Sequence, residues 1–184
     1  EYRRQRQMCI RDSHISVFVH RAWTHRAWKP TKRWFNVLAI AIYTIFFNGA
    51  SIGFVANHRK HHRFEDTEKD PHSPYYMSRW SIVFYPRFKM DPSYVSDLVR
   101  DKDHMFFAKN YWTINLTLWA ILLLINPAWL AFWFAFIGGV GLKARFINDI
   151  GHNDPVNKCS TNSLFWALVY LDGEPWHANH HNNP

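Results

Sequence analysis

Eight of the twelve histidines in this 184-residue chain fall into three short boxes. His20 and His25 form H-x-x-x-x-H. His58, His61 and His62 form H-x-x-H-H, and His177, His180 and His181 repeat that pattern. A fourth element, Asn148-Asp149-Ile150-Gly151-His152, carries one more histidine. On a helix, residues i, i+3 and i+4 share a face, so each trio can aim three imidazoles at one region. Positions i and i+5 stand about 140° apart on an ideal α-helix. The first pair can therefore reach one centre only near a helix end or from different sides. Imidazole suits iron, zinc, copper and nickel. Nine rings exceed what one tetrahedral ion uses, whereas two metals with four or five ligands each would use them all. No regular Glu-x-x-His pattern of carboxylate-bridged bundles accompanies them. The expectation is an all-nitrogen, redox-active metal pair with open coordination positions, in preference to structural zinc. His14, His72 and His104 read as ordinary polar or surface histidines.

Such distant boxes need a scaffold, and the composition suggests a membrane. Aromatic residues make up 18% of the chain, with 10 Trp and 15 Phe. The net charge is +8, but the basic residues flank apolar segments and form no stripe beside stacking aromatics. That arrangement suits an anionic membrane face and argues against nucleic acid. Two cysteines exclude a disulfide framework and a cysteine-based zinc module.

Residues 34–56 are a 23-residue stretch without charge, long enough to span a bilayer. Its centre, Asn48-Gly49-Ala50-Ser51 with Gly53, is poor in helix formers. Residues 59–70 read as charged and solvated. Residues 93–103 read as a short amphipathic helix, with Tyr94, Val95 and Leu98 on one face and Asp97 and Arg100 away from it. Residues 110–125 and 128–142 are two apolar runs broken at Asn126-Pro127. They predict a membrane hairpin over about 107–147, with Lys109, Lys143 and Arg145 on one side, as the positive-inside tendency requires. Two spans between the second and third boxes return the chain to the same side. A single crossing at 34–56 would strand the first box across the bilayer. That stretch is therefore expected to lie at the interface, or to dip and return with its broken centre buried in protein.

The ends stand apart. Residues 1–13 have no helical or strand period and four arginines, and read as a non-native or disordered segment or a basic tail. No apolar core follows these charges as in a signal peptide. Pro184 comes three residues after a histidine pair, and a domain seldom stops beside its chemistry, so the chain is read as cut short at both ends.

Several segments resemble the membrane fatty acid desaturase family, most of all its delta-9, stearoyl-type acyl-CoA and acyl-lipid branch. They are His20-Arg21-Ala22-Trp23-Thr24-His25-Arg26, His58-Arg59-Lys60-His61-His62, Asp66-Thr67, Asp70-Pro71-His72-Ser73-Pro74, Gly173-Glu174 and Trp176-His177-Ala178-Asn179-His180-His181. The resemblance runs from about His20 to the last residue. It implies an all-α integral membrane fold of four spans with a cytoplasmic histidine-rich cap, of which residues 14–184 would be a part. It implies nine ligands to two iron ions, cycling between Fe2+ and Fe3+: His20, His25, His58, His61, His62, His152, His177, His180 and His181. Asn148 would hold an iron-bound water. The implied reaction uses O2 as co-substrate to insert a cis double bond into a saturated fatty-acyl chain, within membrane lipid. Electrons would come from a separate cytochrome b-type or ferredoxin-like protein. Ala56 stands where animal acyl-CoA members carry arginine, which favours an acyl-lipid over an acyl-CoA substrate. Pro175 replaces the more usual Gly or Ser before Trp176. The alternatives are a related di-iron hydroxylase or ketolase, which usually has a shorter first box, and an inactive metal-binding membrane fragment.

Overall fold

The computed structural model describes residues 15–46, 49–84, 90–152, 154, 156–166 and 176–182. Among these, every regular element is helical, and the one extended pairing is an isolated antiparallel bridge between Asn162 and Trp176. A π-helix (Ile15–Thr24) leads into α1 (Arg33–Phe46), α2 (Ser51–Phe64) and α3 (Arg79–Phe84). A 3-10 turn (Pro92–Val95) precedes α4 (Ser96–Arg100), α5 (Lys102–Lys109), α6 (Tyr111–Ile125), α7 (Pro127–Ile150) and α8 (His177–Asn182). Residues 1–14 and Gly173, Glu174 and Pro175 lie outside the described residues, and with them the expectations for residues 1–13 and His14.

The uncharged stretch 34–56 does not form one straight helix. α1 and α2 meet at 89°. Gly49 sits at φ +109°, a left-handed conformation that a side chain disfavours. Breaking a helix leaves backbone groups to satisfy, and α6 supplies partners. The Gly49 N–H donates to the Tyr111 hydroxyl at 3.0 Å, and buried Asn115 donates to the Thr44 carbonyl at 3.1 Å. The bend falls at the broken centre that the sequence marks. Gly53 does not contribute to the break, because it lies inside α2.

The amphipathic segment at 93–103 is divided at Asp101. Its carboxylate accepts from the Asp103 and His104 amides and starts α5 afresh. Val95 and Leu98 are buried as expected. One residue, Asn110, separates α5 from α6. Asn126 caps α7, accepting from the Ala128 amide at 2.9 Å, and Pro127 occupies the first helical position, where its missing N–H costs nothing. α6 and α7 pack as a hairpin, with the Trp119 ring 5.4 Å from Trp133 and 5.1 Å from Phe134.

The core joins the π-helix to the bend. Val19 and Trp23 pack with Ile40 and Tyr43 of α1, Val55 and Ala56 of α2, and Val95 and Leu98. Ala56 is thus enclosed by apolar neighbours. Trp112, Leu124, Trp129 and Phe132 of the hairpin are exposed. Among the described residues no single helix is long and apolar enough to cross a membrane; α1 and α2 together reach that length and composition, across their bend.

Two expectations fail for a shared reason. Residues 59–70 are not simply solvated: His61, Asp66 and Asp70 are buried. His72 and His104 are buried too, at 4% and 1% exposure. Composition marks these residues as surface types, but neighbours distant in the sequence enclose them. The His104 ring lies 4.7 Å from Trp23, with Nδ1 3.2 Å from the Ser51 hydroxyl. His72 stacks on His61 at 4.2 Å.

Candidate metal centre

The first box depends on an unusual helix. In the π-helix the backbone bond runs from i+5 to i, and the His25 N–H donates to the His20 carbonyl at 3.0 Å. Residues five apart then lie side by side, with ring centroids 4.9 Å apart. The spacing that looked awkward on an α-helix is the natural repeat of this one.

The two H-x-x-H-H boxes each divide their rings. His58 and His62, one α-turn apart on α2, have Nε2 atoms 3.1 Å from each other. They join His20, His25 and His180 in a group of five imidazoles whose ligand atoms all lie within 4.8 Å of one another. His61 turns aside and joins His152, His177 and His181 in a group of four. α8 does the converse: His177 and His181 serve the group of four, and His180 serves the group of five. Adjacent residues on a helix point about 100° apart, so a histidine pair at consecutive positions can serve two centres. The expectation that each trio aims at one region is therefore corrected. The groups adjoin, since the His62 and His181 rings stack at 4.3 Å.

Backbone contacts bring α8 to its place. The Thr161 N–H donates to Gly151 O at 2.7 Å, and the Ala178 N–H donates to Thr161 O at 3.3 Å. Asn162 exchanges hydrogen bonds with Asn179. Gly151 is required for close approach, not for its φ of −74°. A Cβ there would lie 2.7 Å from Cγ and Cδ2 of His177.

A layer of carboxylates orients the group of four. His61 Nδ1 is 2.9 Å from both oxygens of buried Asp70, His152 Nδ1 is 2.7 Å from Asp66, and His181 Nδ1 is 2.9 Å from Glu65. The Asp70 and Asp66 contacts leave the far nitrogens of His61 and His152 free to face inward, as carboxylates do behind metal-bound histidines. Asp70 is itself held by the amides of Asp66 and His72. Sequence reading assigned no role to Glu65, Asp66 or Asp70. Their available signal was position: they are three of four carboxylates within eight residues after the second box.

The chemistry of these donors fits a metal ion. Within the two groups Nε2 atoms approach at 2.8 to 3.2 Å: His20 to His180, His180 to His62, His61 to His181, His181 to His177 and His177 to His152. His61 and His152 commit their Nδ1 protons to carboxylates, so their Nε2 atoms present lone pairs. His25 Nε2 is buried with no hydrogen-bond partner among the described residues. Converging lone pairs repel unless a cation lies between them. Protonation is a poor substitute, because burial first and neighbouring imidazoles second hold His20, His58, His61, His177 and His180 well below the usual histidine range. Burial, with Arg21 and His181, takes His25 to about 4, and burial, with His181 and His25, takes His62 to about 3.

These shifts set a pH dependence for the metal-free chain. The folded rings bind fewer protons than the unfolded ones below pH ~6.5. Stability should therefore be level above about 6.5 and fall as pH drops through 4 towards 3. Asp70, raised by burial to about 6, works in the opposite sense but is one group against seven. Urea midpoints measured from pH 8 to 4 should decline; a rise on acidification would contradict the placement of these rings.

Asn148 is half-buried near the end of α7, and His152 lies two residues beyond that end.

No family model matches the chain. Curated proteins do. It is 30% identical over 183 residues to the delta-9 desaturase-like 3 protein of Arabidopsis thaliana, covering 91% of this chain and 60% of that protein. It is 28% identical to the sn-1 stearoyl-lipid 9-desaturase of Synechocystis sp., covering 91% and 56%. To the icosanoyl-CoA 5-desaturase of Limnanthes douglasii it is 30% identical, covering 91% and 51%. The chain thus spans between half and two thirds of the length of these relatives. Over nine-tenths of its length, then, this chain is similar to fatty acid desaturases, most of them named for the delta-9 position.

Proposed function

We propose that this chain carries the catalytic centre of an O2-dependent fatty-acyl desaturase that holds two irons, one in the group of five imidazoles and one in the group of four. The observation that carries the reading is the division of nine histidines from four parts of the chain into two adjoining groups. Such an iron pair, when bound, supplies O2 reduction and hydrogen removal from an unactivated methylene pair. The step balances: O2 takes two electrons and two protons from the C–H bonds, which become the cis alkene, two electrons from an external donor and two protons from solvent, and leaves as two waters.

The chain's own residues prepare that chemistry. His20, His58, His61, His152 and His177 are buried, which keeps bulk water from the centre. Asp66 and Asp70 hold the His152 and His61 rings in a fixed tautomer and orientation, and Glu65 lies beside His181. Asn148, four residues before His152, would hold a solvent molecule at the centre. The α6–α7 hairpin, with its exposed Trp, Phe and Leu side chains, lies in membrane lipid with the histidine cap on the cytoplasmic side. The saturated acyl chain arrives on a lipid or on CoA, and the burial of Ala56 among apolar residues favours the lipid. A cytochrome b-type or ferredoxin-like protein delivers the electrons.

Prepared without air and supplied with Fe2+, the chain, or a longer protein containing it, should hold two irons and background zinc. With donor, O2 and a saturated acyl substrate, mass spectrometry of the product should show a cis alkene. Zinc in place of iron, or an alcohol product, overturns the reading.

A further inference from the structure

The first box needs a π-helix, and π-helices are rare and short-lived as isolated structure. Something must hold Ile15–Thr24 in that form, and the contacts at its C-terminal end supply a holder. Arg59, between His58 and Lys60 on α2, reaches back to the last turn. Its Nε donates to Thr24 O at 3.0 Å and its Nη2 to Trp23 O. These are carbonyls that a helix end leaves without partners. Its Nη1 donates to Tyr94 O at 2.8 Å, and the guanidinium forks onto both oxygens of Asp97, at 2.7 and 3.0 Å. The Arg59 side chain is only 12% exposed.

Asp97 has a second partner. Arg26 stands at φ +56°, a left-handed conformation that costs a non-glycine residue energy. That turn ends the π-helix and lets the Ala27 N–H close on Arg21 O at 3.0 Å. The Arg26 guanidinium reaches Asp97 at 2.9 and 3.1 Å. One carboxylate therefore links the residue that caps the π-helix to the residue whose strained backbone stops it.

We propose that Arg59 and Asp97 are positioning residues for the first histidine box, setting the five-residue repeat by which His20 and His25 face the same group. Neither touches the metal groups. This rests on the reading above that the five imidazoles hold a metal. Lysine cannot replace Arg59, because a point ammonium does not donate to three carbonyls and a carboxylate at once.

The test uses Co2+ as a coloured probe of both sites, titrated into the metal-free chain. Arg59→Gln and Asp97→Ala should weaken one of two Co2+ equivalents at least tenfold and leave the other within about threefold. Asp97→Glu should restore the weakened equivalent, and Arg59→Lys should not. Asp103→Asn breaks a comparable bidentate ion pair with Arg33, between α1 and α5, and should change neither equivalent. Independently of any metal, hydrogen exchange at the His25 and Ala27 amides of the metal-free chain should speed up at least tenfold in Arg59→Gln and Asp97→Ala. Unchanged exchange at those amides, equal weakening of both equivalents, or the same weakening in Asp103→Asn overturns the proposal. Wild-type chain that takes no Co2+ defeats the metal reading, and the exchange result still decides whether these residues hold the π-helix. Should Arg59→Gln fail to fold, Asp97→Ala, at a partly exposed position, answers the same question.

Discussion

Replacing His61 with alanine should reduce bound iron from two per chain to at most one and cut alkene formation at least a hundredfold. Three interactions meet on this ring, which has no exposed surface. Its Nε2 lies 3.2 Å from that of His181, inside the group of four. Its Nδ1 lies 2.9 Å from Asp70, and its face stacks on His72. Alanine removes one of four donors and takes from buried Asp70 its imidazole partner, leaving it the Asp66 and His72 amides. A lost hydrogen bond to a charged group costs about 1.5–3 kcal/mol. The variant should therefore also unfold at lower denaturant. Iron per chain, measured by elemental analysis, and fatty-acid methyl ester chromatography check both parts. Two retained irons with normal product would remove His61 from the centre.

The second large effect should come from a residue with no side chain. Gly151→Ala places a methyl 2.7 Å from two ring atoms of His177. Real Cβ contacts are not that short, so the ring or the α7 terminus must move. His177 has little room: it is buried, and its Nε2 sits 3.0 Å from His152 and 3.2 Å from His181. Shifts of this kind in ligand geometry typically cost 10–100-fold in metal affinity, and about an ångström of misplacement costs a hundredfold in rate. The expected result is loss of metal from the group of four before the group of five. Gly53→Ala is the matched control. It lies within α2 with nothing inside 4 Å of the new methyl, so helix propensity should make it neutral or stabilising by about 0.5–1 kcal/mol. Comparing the two variants by metal titration and by urea melts separates crowding at His177 from a general intolerance of alanine. Equal behaviour would mean that the approach of Gly151 to His177 does not matter.

The ligand candidates were legible in the linear order because histidine is uncommon and its spacings repeat. The bend at 34–56 was legible because Asn48, Gly49 and Ser51 are poor helix formers and because a single crossing would have separated the boxes. The partners of those histidines were not legible. Asp66 and Asp70 look like ordinary solvated acids in a charged stretch, and nothing local signals that the stretch folds under the group of four. His72 and His104 were misjudged for the same reason, since burial of a polar residue depends on neighbours far along the chain. Asp97 was expected to point away from the core. It does, and what composition could not show is that Arg26 and Arg59 wait there.

Residue type and spacing alone determined that this chain can offer two metals a shell of nitrogen donors, because one α-turn places i and i+4 on one face wherever the helix ends up. Tertiary structure decided how those donors are shared. The pairs His61–His62 and His180–His181 point in different directions on their helices, and only the folded chain brings a second set of rings to each of them. The His20–His25 pair converges only because its backbone adopts a π repeat, which no local preference selects and which the Arg59 contacts satisfy from outside. Periodicity is a property of one segment, whereas the direction a side chain finally takes is set by whatever packs against it.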